Sequence, residues 1–435
     1  MSTRSQRPPA MRYRPARRTD VETLAELGLL AYRVSSFEKR REFYTDHPRF
    51  SLRDVRVGEL DGRIVASLVL YPLVAWVRGQ QVPLTGVGSV AVSPEHRRRG
   101  LGETLMRSAL RELRQRGSAF SALYAFRGSY YRKLGYGVIE TVQQLAVSPA
   151  NLPASDETRR VRRLLLPDRP AIEALYERVA AQGHFALART REWWAQRLWD
   201  YPGDWVVHEG RRRGQIEGYL HYQVDTTHGP FRLGLTLTEF VAASPEAHRG
   251  LVGYLASLAD QVQEIHHATP GDNLWLATLA TAQNLRPGAE MGVLLDTGGV
   301  AHGAMLRVTD VKVGLECLPV NPNARGEVVL EVDDPVLPQN ARAWRVVARE
   351  GRLHVKPETA GAGRPPQAGG SAPKTGRVRL PRLKVPADML GPLLAGTLSP
   401  TGAAAAGLIE SSDGAEVIES WFRAKPAFLY PMNVF

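Results

Sequence analysis

The feature that most constrains this chain is a strand–turn–helix pattern that occurs twice. Residues 89–113 read SVAVSPEHRRRGLGETLMRSALREL, and residues 239–262 read EFVAASPEAHRGLVGYLASLADQV. An earlier strand-to-helix step is also repeated, at residues 11–32 and 161–181. A repeated order of elements indicates two similar domains in tandem. Because strand and helix signals alternate along the first copy, we predict domains of the mixed α/β class.

The length of the chain, 435 residues, suffices for two to four domains. We predict two α/β domains at residues 1–150 and 151–303. A third domain of different character, α+β, is predicted at residues 304–435, where short strands precede helices. Residues 361–376 read GAGRPPQAGGSAPKTG, a composition that cannot build a core. We therefore expect a disordered loop near residues 360–376.

Two pairs of residues carry the spacing of helix capping boxes. Thr19 and Glu22 predict that the first helix begins near Asp20. Asp413 and Glu416 predict a further capped helix close to the end of the sequence.

Charge and composition narrow the classes of partner. The formal net charge is +12, which favours anionic ligands. We find no zinc-ligand spacing and no aromatic residues interleaved with basic ones on strands, so we predict neither a nucleic-acid partner nor a metal site. No apolar run of about 18 residues occurs, so no membrane segment is expected. The single cysteine, Cys317, precludes an internal disulfide and agrees with a cytoplasmic location.

The first copy of the repeat carries a signal for phosphate binding. Gly100 and Gly102 lie where the helix begins, so no side chain at these positions hinders approach to the backbone. Free N–H groups and the positive end of the dipole attract anions to a helix N-terminus. The run Arg97–Arg99 adds positive charge. Because the amides converge on one point, we expect a pyrophosphate rather than an extended nucleic-acid backbone.

Two segments now suggest a family. VAVSPEHRRRGLG resembles the acetyl-coenzyme A motif of the GNAT N-acetyltransferases, Gln/Arg-x-x-Gly-x-Gly/Ala, with Arg97, Gly100 and Gly102 at its fixed positions. GSYYRKLGYGV, residues 128–138, resembles the helix-to-strand segment of that superfamily. Two GNAT-like domains followed by a sterol-carrier-protein-like domain resemble the Eis-type (enhanced intracellular survival) acetyltransferases. The resemblance implies acetyl-coenzyme A (acetyl-CoA) as cosubstrate, acetyl transfer to amines and a homohexamer.

The resemblance also implies which residues bind acetyl-CoA. The strand Val90, Ala91 and Val92 should lie along the pantetheine arm, and the N–H group near Val90 should donate to the thioester carbonyl. The residues implied around the pyrophosphate and on its other side are Arg98, Arg99, Gly100, Leu101, Gly102, Glu103, Phe126 and Arg127.

The two groups implied to move protons are Tyr131 and Phe435. A phenol, with a pKa of about 10, can supply a proton to a departing thiolate, and Tyr130 and Tyr136 are alternatives to Tyr131 in this role. The α-carboxylate of Phe435 is the implied base. It ends an apolar segment, FRAKPAFLYPMNVF, that can be buried, although the segment could also pack without a catalytic role.

The second copy of the motif is degraded. SPEAHRGLVG has one residue fewer between Glu246 and Gly250 than the first copy has at the same place, and Val252 replaces the second glycine. We therefore predict one acetyl-CoA site per chain, in the first domain. The second domain is expected to serve as a scaffold and pocket wall.

The expected activity is acetyl transfer to a primary amine of a small cationic acceptor, such as an aminoglycoside, a polyamine or a lysine side chain. Aromatic and acidic walls for such an acceptor are available at Phe37, Glu38, Trp193, Trp194 and Trp199, although tryptophans at this spacing more often belong to a core. The alternative function is a carrier of lipids or other hydrophobic ligands whose GNAT domains are regulatory.

Overall fold

The computed structural model describes residues 11–33, 36–212, 214–227, 229, 232–271, 275–279, 297–358 and 380–435. These residues form three β-sheets with helices packed on them, which confirms the predicted α/β class with a third, α+β domain. Among them, no helix has the length and apolar character needed to cross a membrane. The loop predicted near residues 360–376 lies outside the described residues.

The first sheet has the strand order β1-β2-β3-β4-β5-β15-β6, and β9 pairs with the end of β3. Its strands are β1 (Arg12–Pro15), β2 (Val55–Leu60), β3 (Arg63–Val77), β4 (Gln80–Val92), β5 (Phe120–Tyr124), β6 (Gly137–Val138), β9 (His184–Leu187) and β15 (Ala304–Val308). Its helices are α1 (Val21–Tyr32), α2 (Phe37–Thr45), α3 (Leu101–Gln115) and α4 (Gly128–Arg132).

Helix α3, the helix of the repeated motif, is held on the first sheet by an apolar stripe. Residues recurring every three or four positions on one face of α3 are buried against β3 and β4: Leu105, Met106, Ala109, Leu110 and Leu113. Each fully buried Leu or Met side chain contributes roughly 1.5–3 kcal/mol. The stripe therefore fixes where the N-terminus of α3 lies relative to β4.

The second sheet has the order β14-β7-β13-β12-β11-β10-β8. Its strands are β7 (Thr141–Val147), β8 (Val161–Arg163), β10 (Asp204–Glu209), β11 (Ile216–Asp225), β12 (Leu233–Ala242), β13 (Val262–Pro270) and β14 (Gly298–His302). Its helices are α5 (Arg169–Ala180), α6 (Arg191–Trp193), α7 (Pro245–Ala256) and α8 (Trp275–Thr278), and a π-helical turn, Trp194–Leu198, continues α6.

The two sheets exchange strands close to both predicted boundaries. β7 precedes residue 150 but belongs to the second sheet, whereas β15 begins at residue 304 and returns to the first sheet between β5 and β6. The boundaries of the domains at residues 1–150, 151–303 and 304–435 stay predictions.

The third sheet has the order β18-β17-β16-β19-β20, and four helices accompany it. The elements are α9 (Val311–Cys317), β16 (Gly326–Asp333), β17 (Ala343–Arg349), β18 (Arg352–Pro357), β19 (Arg382–Pro386), α10 (Ala387–Leu394), α11 (Pro400–Ala405), β20 (Glu410–Ser412) and α12 (Gly414–Ile418). Among the described residues of this domain, an apolar cavity next to Trp421 and Phe422 has a volume of about 20 Å³. Such a volume is about that of a single water molecule.

Both predicted capping boxes are wrong. Residues Arg18–Asp20 form a 3₁₀ turn before α1, and Asp20 accepts a hydrogen bond from the backbone N–H of Arg17 at 2.7 Å instead of capping the helix. At α12, Asp413 adopts a left-handed conformation with φ 58°, and its side chain makes no cap. Thr19 lies inside the 3₁₀ turn, whereas Asp413 directly follows β20 and forms a β-bridge with Arg382, so neither residue has the N-cap geometry that a capping box requires.

A buried carboxylate lies where the exchanged strands and the C-terminal segment meet. The two oxygens of Glu140 accept hydrogen bonds from the backbone N–H groups of Leu429 (2.6 Å) and Ala304 (2.9 Å). The side chain is buried, and burial raises its pKa to about 7 although both hydrogen bonds oppose the rise. Glu140 therefore releases its proton close to neutral pH in the folded protein.

We predict that Glu140 makes stability depend on pH. Its folded pKa is raised above its unfolded value, so the stabilisation is full below about pH 4.5 and is lost as the pH rises through 7. In Glu140→Gln, the decrease in unfolding free energy between pH 5 and 8 should be smaller than in the wild type by on the order of 2 kcal/mol. Urea unfolding at several pH values measures this, with the exposed Glu26→Gln as control. Parallel pH profiles of the wild type and Glu140→Gln would contradict it.

Candidate active site

A gap opens in the first sheet beside the repeated motif. Strands β4 and β5 pair in parallel only at Thr85–Ser121 and Gly86–Ala122. No further pairing joins these strands, so Val90, Ala91 and Val92 run along an edge that β5 does not cover. An extended ligand can add to such an edge as an extra strand.

The N-terminus of α3 lies at one end of this gap. Gly100 has φ 77°, a left-handed conformation that ends the loop and lets the helix begin at Leu101. Gly102 has little space around it, because a Cβ atom there would lie 3.1 Å from Tyr130 Oη and 3.4 Å from Val92 Cγ2. The first-turn N–H groups of α3 are thus left open by the absence of both side chains.

Positive charge surrounds these N–H groups. Arg98 and Arg99 are exposed and form no ion pair with another described residue, and Arg97 Nε donates to the carbonyl of Val92 at 3.1 Å. The carboxylate of Glu103 is paired with Arg107, so Glu103 offers its backbone N–H to the site. The predicted pyrophosphate site therefore combines helix N–H groups with unpaired guanidinium groups.

The loop after β5 lines the opposite side of the gap. Phe126 is 80% exposed and Arg127 is also exposed. The ring of Phe126 lies edge-on to that of Tyr131 at 5.8 Å between centroids. An exposed phenyl group offers an apolar contact surface beside the gap.

The three candidate tyrosines have different environments. Tyr136 is fully buried, and its hydroxyl is hydrogen-bonded to Ser121 Oγ at 2.8 Å. The Tyr130 hydroxyl lies at the start of α3, next to Gly102. The Tyr131 hydroxyl has no hydrogen-bond partner among the described residues, and burial raises its pKa above the ordinary value of 10. Tyr131 also lies near Tyr32, which donates to the carbonyl of Val90 at 3.1 Å.

Phe435 lies against strand β4 at the gap. Its ring contacts Tyr71 and Tyr124, with centroids 5.7 and 5.5 Å apart, respectively. A Cβ atom at Gly86 would lie 2.6 Å from the ring, and one at Gly88 would lie 3.2 Å from the terminal carbon and oxygen of Phe435. Two glycines in β4 therefore provide the space that Phe435 occupies, and the terminal carboxyl group lies beside the strand.

Side chains from both GNAT-like domains hold the last residues. Arg49 donates to the backbone carbonyls of Asn433 (3.2 Å) and Val434 (2.8 Å). Asn433 is fully buried; its amide oxygen accepts from Arg189 Nε and its amide nitrogen donates to Tyr176 Oη, each at 2.8 Å.

A buried ion pair in the second domain completes this network. Arg189 pairs with Glu239, and both side chains are 0% exposed. Tyr219 Oη donates to the same carboxylate at 2.9 Å. The position of the chain's last residues thus depends on the second domain.

The degraded motif has a different structure at α7. Segment Asp156–Arg160 packs on α7, where a Cβ atom at Gly253 would lie 2.3 Å from Thr158 Oγ1. Ser244 caps the helix by accepting from the N–H of Ala247. Val252 is buried in the core. These contacts support a scaffold role, and the number of acetyl-CoA sites stays a prediction.

The residues that the sequence suggested as walls of an acceptor pocket differ in their exposure to solvent. The three tryptophans are buried in the core, where tryptophans at this spacing more often lie. The exposed fraction is 2% for Trp193, 1% for Trp194 and 9% for Trp199. Glu38 is exposed, and hydrogen bonds at the N-terminus of its own helix lower its pKa. No group of three potential metal ligands occurs in the described part of the chain.

Sequence reasoning missed several residues around Phe435, namely Arg49, Tyr71, Tyr124, Arg189 and Asn433. Gly86 and Gly88 were an available signal, because glycine inside a strand marks a close approach of other atoms. No local sequence pattern marks Arg49, Tyr71, Tyr124, Arg189 or Asn433.

Family models match three parts of this chain. Residues 12–139 and 186–308 each match an acetyltransferase (GNAT) domain, and residues 311–430 match a sterol carrier protein domain.

Curated relatives of this chain are named as N-acetyltransferases. N-acetyltransferase Eis of Mycobacterium tuberculosis is 29% identical over 341 residues, which cover 69% of this chain and 82% of that protein. An uncharacterized N-acetyltransferase of Streptomyces coelicolor is 26% identical over 283 residues, covering 62% of this chain and 65% of the relative. The match thus spans a little under two thirds of that relative's length.

Solved structures share the fold. A GCN5-related N-acetyltransferase from Anabaena variabilis matches with a TM-score of 0.79 at 18% identity, and Eis1 from Mycobacterium abscessus matches with 0.74 at 22%. Each match covers 98% of this chain and 100% of the other.

The fold and the open strand edge define a GNAT-superfamily acetyltransferase, for which acetyl-CoA is the implied cosubstrate. The chain carries tandem GNAT domains followed by a sterol carrier protein domain, and it is similar to the Eis N-acetyltransferases.

We predict that Gly102→Val, which copies the residue of the second repeat, weakens acetyl-CoA binding at least tenfold. The branched side chain would meet Tyr130 and Val92 and hinder approach to the N–H groups of α3. Calorimetric titration measures affinity and stoichiometry, and the wild type should bind one acetyl-CoA per chain. Gly299→Val, at a strand position with open space around it, is the matched control. Unchanged affinity in Gly102→Val would contradict the assignment.

Proposed function

We propose that this chain transfers the acetyl group of acetyl-CoA directly to a primary amine, with Tyr131 as general acid and the Phe435 carboxylate as base. The observation that carries the proposal is the convergence of the open β4 edge, the unpartnered Tyr131 hydroxyl and the terminal carboxyl group beside Gly88. Both groups lie along the same strand: Tyr131 packs in the cluster that contains Val87, Val90 and Val92, and the terminal carbon of Phe435 lies beside Gly88.

The residues at the gap fit the cosubstrate. Acetyl-CoA supplies an activated acetyl thioester when bound. The first-turn N–H groups of Leu101, Gly102 and Glu103, with Arg98 and Arg99, would hold its pyrophosphate. Val90, Ala91 and Val92 would pair with its amide-bearing arm, and the N–H near Val90 would stabilise negative charge on the carbonyl oxygen. Phe126 and Arg127 would lie on the other side.

Two proton transfers accompany the proposed reaction. The amine nitrogen forms a bond to the acetyl carbon while the carbon–sulfur bond breaks, and the amine's proton passes to the Phe435 carboxylate. Tyr131 gives its proton to the sulfur, so the products are an amide and a free thiol. Because burial raises the pKa of Tyr131, it stays protonated and able to donate throughout the physiological range.

The acceptor is proposed to be a primary amine of a small molecule, for which aminoglycosides, polyamines and lysine side chains are the classes that the resemblance suggests. A cytoplasmic location and a hexameric assembly are further proposals, supported respectively by the composition and by the resemblance. The alternative, a lipid carrier with regulatory GNAT domains, is not favoured, because the matched GNAT domains indicate acetyl transfer.

We expect Tyr131→Phe to lower kcat about 10²- to 10⁴-fold, the usual contribution of a general acid. The Michaelis constant for acetyl-CoA should change little, because the ring and its contacts with Phe126 and Tyr130 remain. Thiol release measures turnover. Tyr130→Phe is the neighbouring control and should retain most activity. A larger loss in Tyr130→Phe than in Tyr131→Phe would assign the acid to Tyr130.

Appending one glycine after Phe435 should lower kcat at least 100-fold. The extra residue moves the carboxylate by about 3.5 Å and leaves an amide next to β4. Thermal unfolding should stay near that of the wild type, because the ring of Phe435 and the network at Asn433 are preserved. Val434→Ala is the control, since Val434 is 53% exposed and its change leaves the carboxylate in place. Full turnover of the extended chain would eliminate the carboxylate as base.

A further inference from the structure

The sheet of the second domain separates at a place that corresponds to the gap in the first. The parallel pairing of β12 with β13 ends at Leu237 and His267. Leu237 lies seven residues before Ser244, the serine of the SPE sequence in the second copy of the motif. Gly86, the last residue of β4 that pairs with β5, likewise lies seven residues before Ser93 in the first copy. The two sheets therefore open at equivalent positions of the repeat.

A cavity of about 300 Å³ lies where β12 and β13 separate. This volume is at the lower end of the range for small-molecule sites. Both strands line this β12–β13 cavity, β12 from Thr238 to Ala242 and β13 from His267 to Pro270. Three residues near the end of the chain also line it, namely Phe428, Tyr430 and Pro431. The cavity therefore adjoins the segment that leads to Phe435.

Aromatic rings form much of the cavity wall. The ring of Trp275 lies 4.9 Å from that of His267 and 5.2 Å from that of Phe240, measured between centroids. His248 of α7 lies 5.4 Å from Phe240. All four residues line the cavity. Such walls favour a planar aromatic ligand, because aromatic rings pack well in stacked or edge-to-face arrangements.

The histidines and the carboxylate in the lining carry no unpaired charge. Burial, followed by the charge of His248, lowers the pKa of His267 to about 3, and burial also lowers the pKa of His248. Both imidazoles are therefore neutral at physiological pH. Glu239 is paired with Arg189. A charged ligand would lose its hydration without gaining an opposite charge, so the lining favours an uncharged one.

The end of α7 is arranged differently from the phosphate-binding end predicted for α3. The side chain of Ser244 accepts a hydrogen bond from the N–H group of Ala247, and segment Asp156–Arg160 packs on the helix. Val252 lies where the first copy has Gly102. The ligand of the β12–β13 cavity is therefore expected to carry no phosphate group.

We propose that the β12–β13 cavity binds a small, uncharged aromatic molecule at a site separate from that of acetyl-CoA. Its ring packs among Phe240, His267 and Trp275, and its other face contacts Tyr430. Because the chain continues from Tyr430 to Phe435, the ligand stabilises the segment that carries the terminal carboxylate. This binding goes beyond the acetyl transfer proposed above and does not depend on it.

Calorimetric titration with 2-naphthalenemethanol tests the site, and 2-naphthoate is the matched anionic probe. The alcohol should bind once per chain, with or without saturating coenzyme A, and 2-naphthoate should bind about tenfold more weakly or worse. Ala268→Leu and Ala242→Leu each add bulk to the lining and should lower affinity for the alcohol about tenfold or more. Ala259→Leu, at an exposed position outside the lining, is the control. Thermal unfolding without ligand shows which variants are folded.

Hydrogen exchange locates the bound molecule. The N–H of Leu429 donates to Glu140 and that of Asn433 to the carbonyl of Tyr430, so a ligand packed on Tyr430 should slow exchange in the peptide that covers residues 428–435. A peptide from β17, in the third domain, should exchange at an unchanged rate.

Four results would each overturn the proposal: no binding of the alcohol, its displacement by coenzyme A, equal affinity for 2-naphthoate, or unchanged affinity in a folded Ala268→Leu or Ala242→Leu variant. Binding without slower exchange at residues 428–435 would also overturn it, because the ligand would then lie elsewhere. Binding with all the expected properties in a protein that acetylates no amine supports the cavity site and contradicts only the proposed function.

Discussion

The ion pair between Arg189 and Glu239 is the interaction on which the arrangement of the candidate active site depends. Both side chains are excluded from water, and Tyr219 and Asn433 supply the additional hydrogen bonds that such a pair needs. Removing one partner of a buried pair typically costs about 3–5 kcal/mol, because the other charge is left uncompensated. Through Asn433 the pair determines where the last residues lie, so a domain with a degraded phosphate motif retains a structural role at the site of its neighbour.

The C-terminal segment joins all three domains. It leaves the sterol-carrier-like domain, binds the backbone of His184 through the N–H of Phe428, and reaches Glu140 through that of Leu429. Arg49 of the first domain then holds its final carbonyl groups. The segment therefore couples the packing of the third domain to the geometry at β4.

The sequence predicted those parts of the fold and site that depend on residues close together in the chain. The strand, turn and helix around Gly100 could be predicted from glycine positions and an apolar stripe, all within 25 residues. The family motif then indicated which residues surround the pyrophosphate site. The acceptor side could not be predicted, because Arg49 and Asn433 are 384 residues apart and carry no periodic signal. The capping boxes at Thr19 and Asp413 failed because Thr19 lies within a 3₁₀ turn and Asp413 adopts a left-handed backbone conformation, neither of which the spacing alone reveals.

The exchange of strands between the first two sheets has a consequence for how the protein is made. β15 pairs with β5, which lies about 180 residues earlier in the chain. It also pairs with β6 and so joins β5 to β6 in the first sheet. During synthesis the first domain can therefore not complete its sheet until the ribosome has passed residue 308, after the second domain has emerged. The two copies of the repeat must mature together, and long-range closure of this kind is slow.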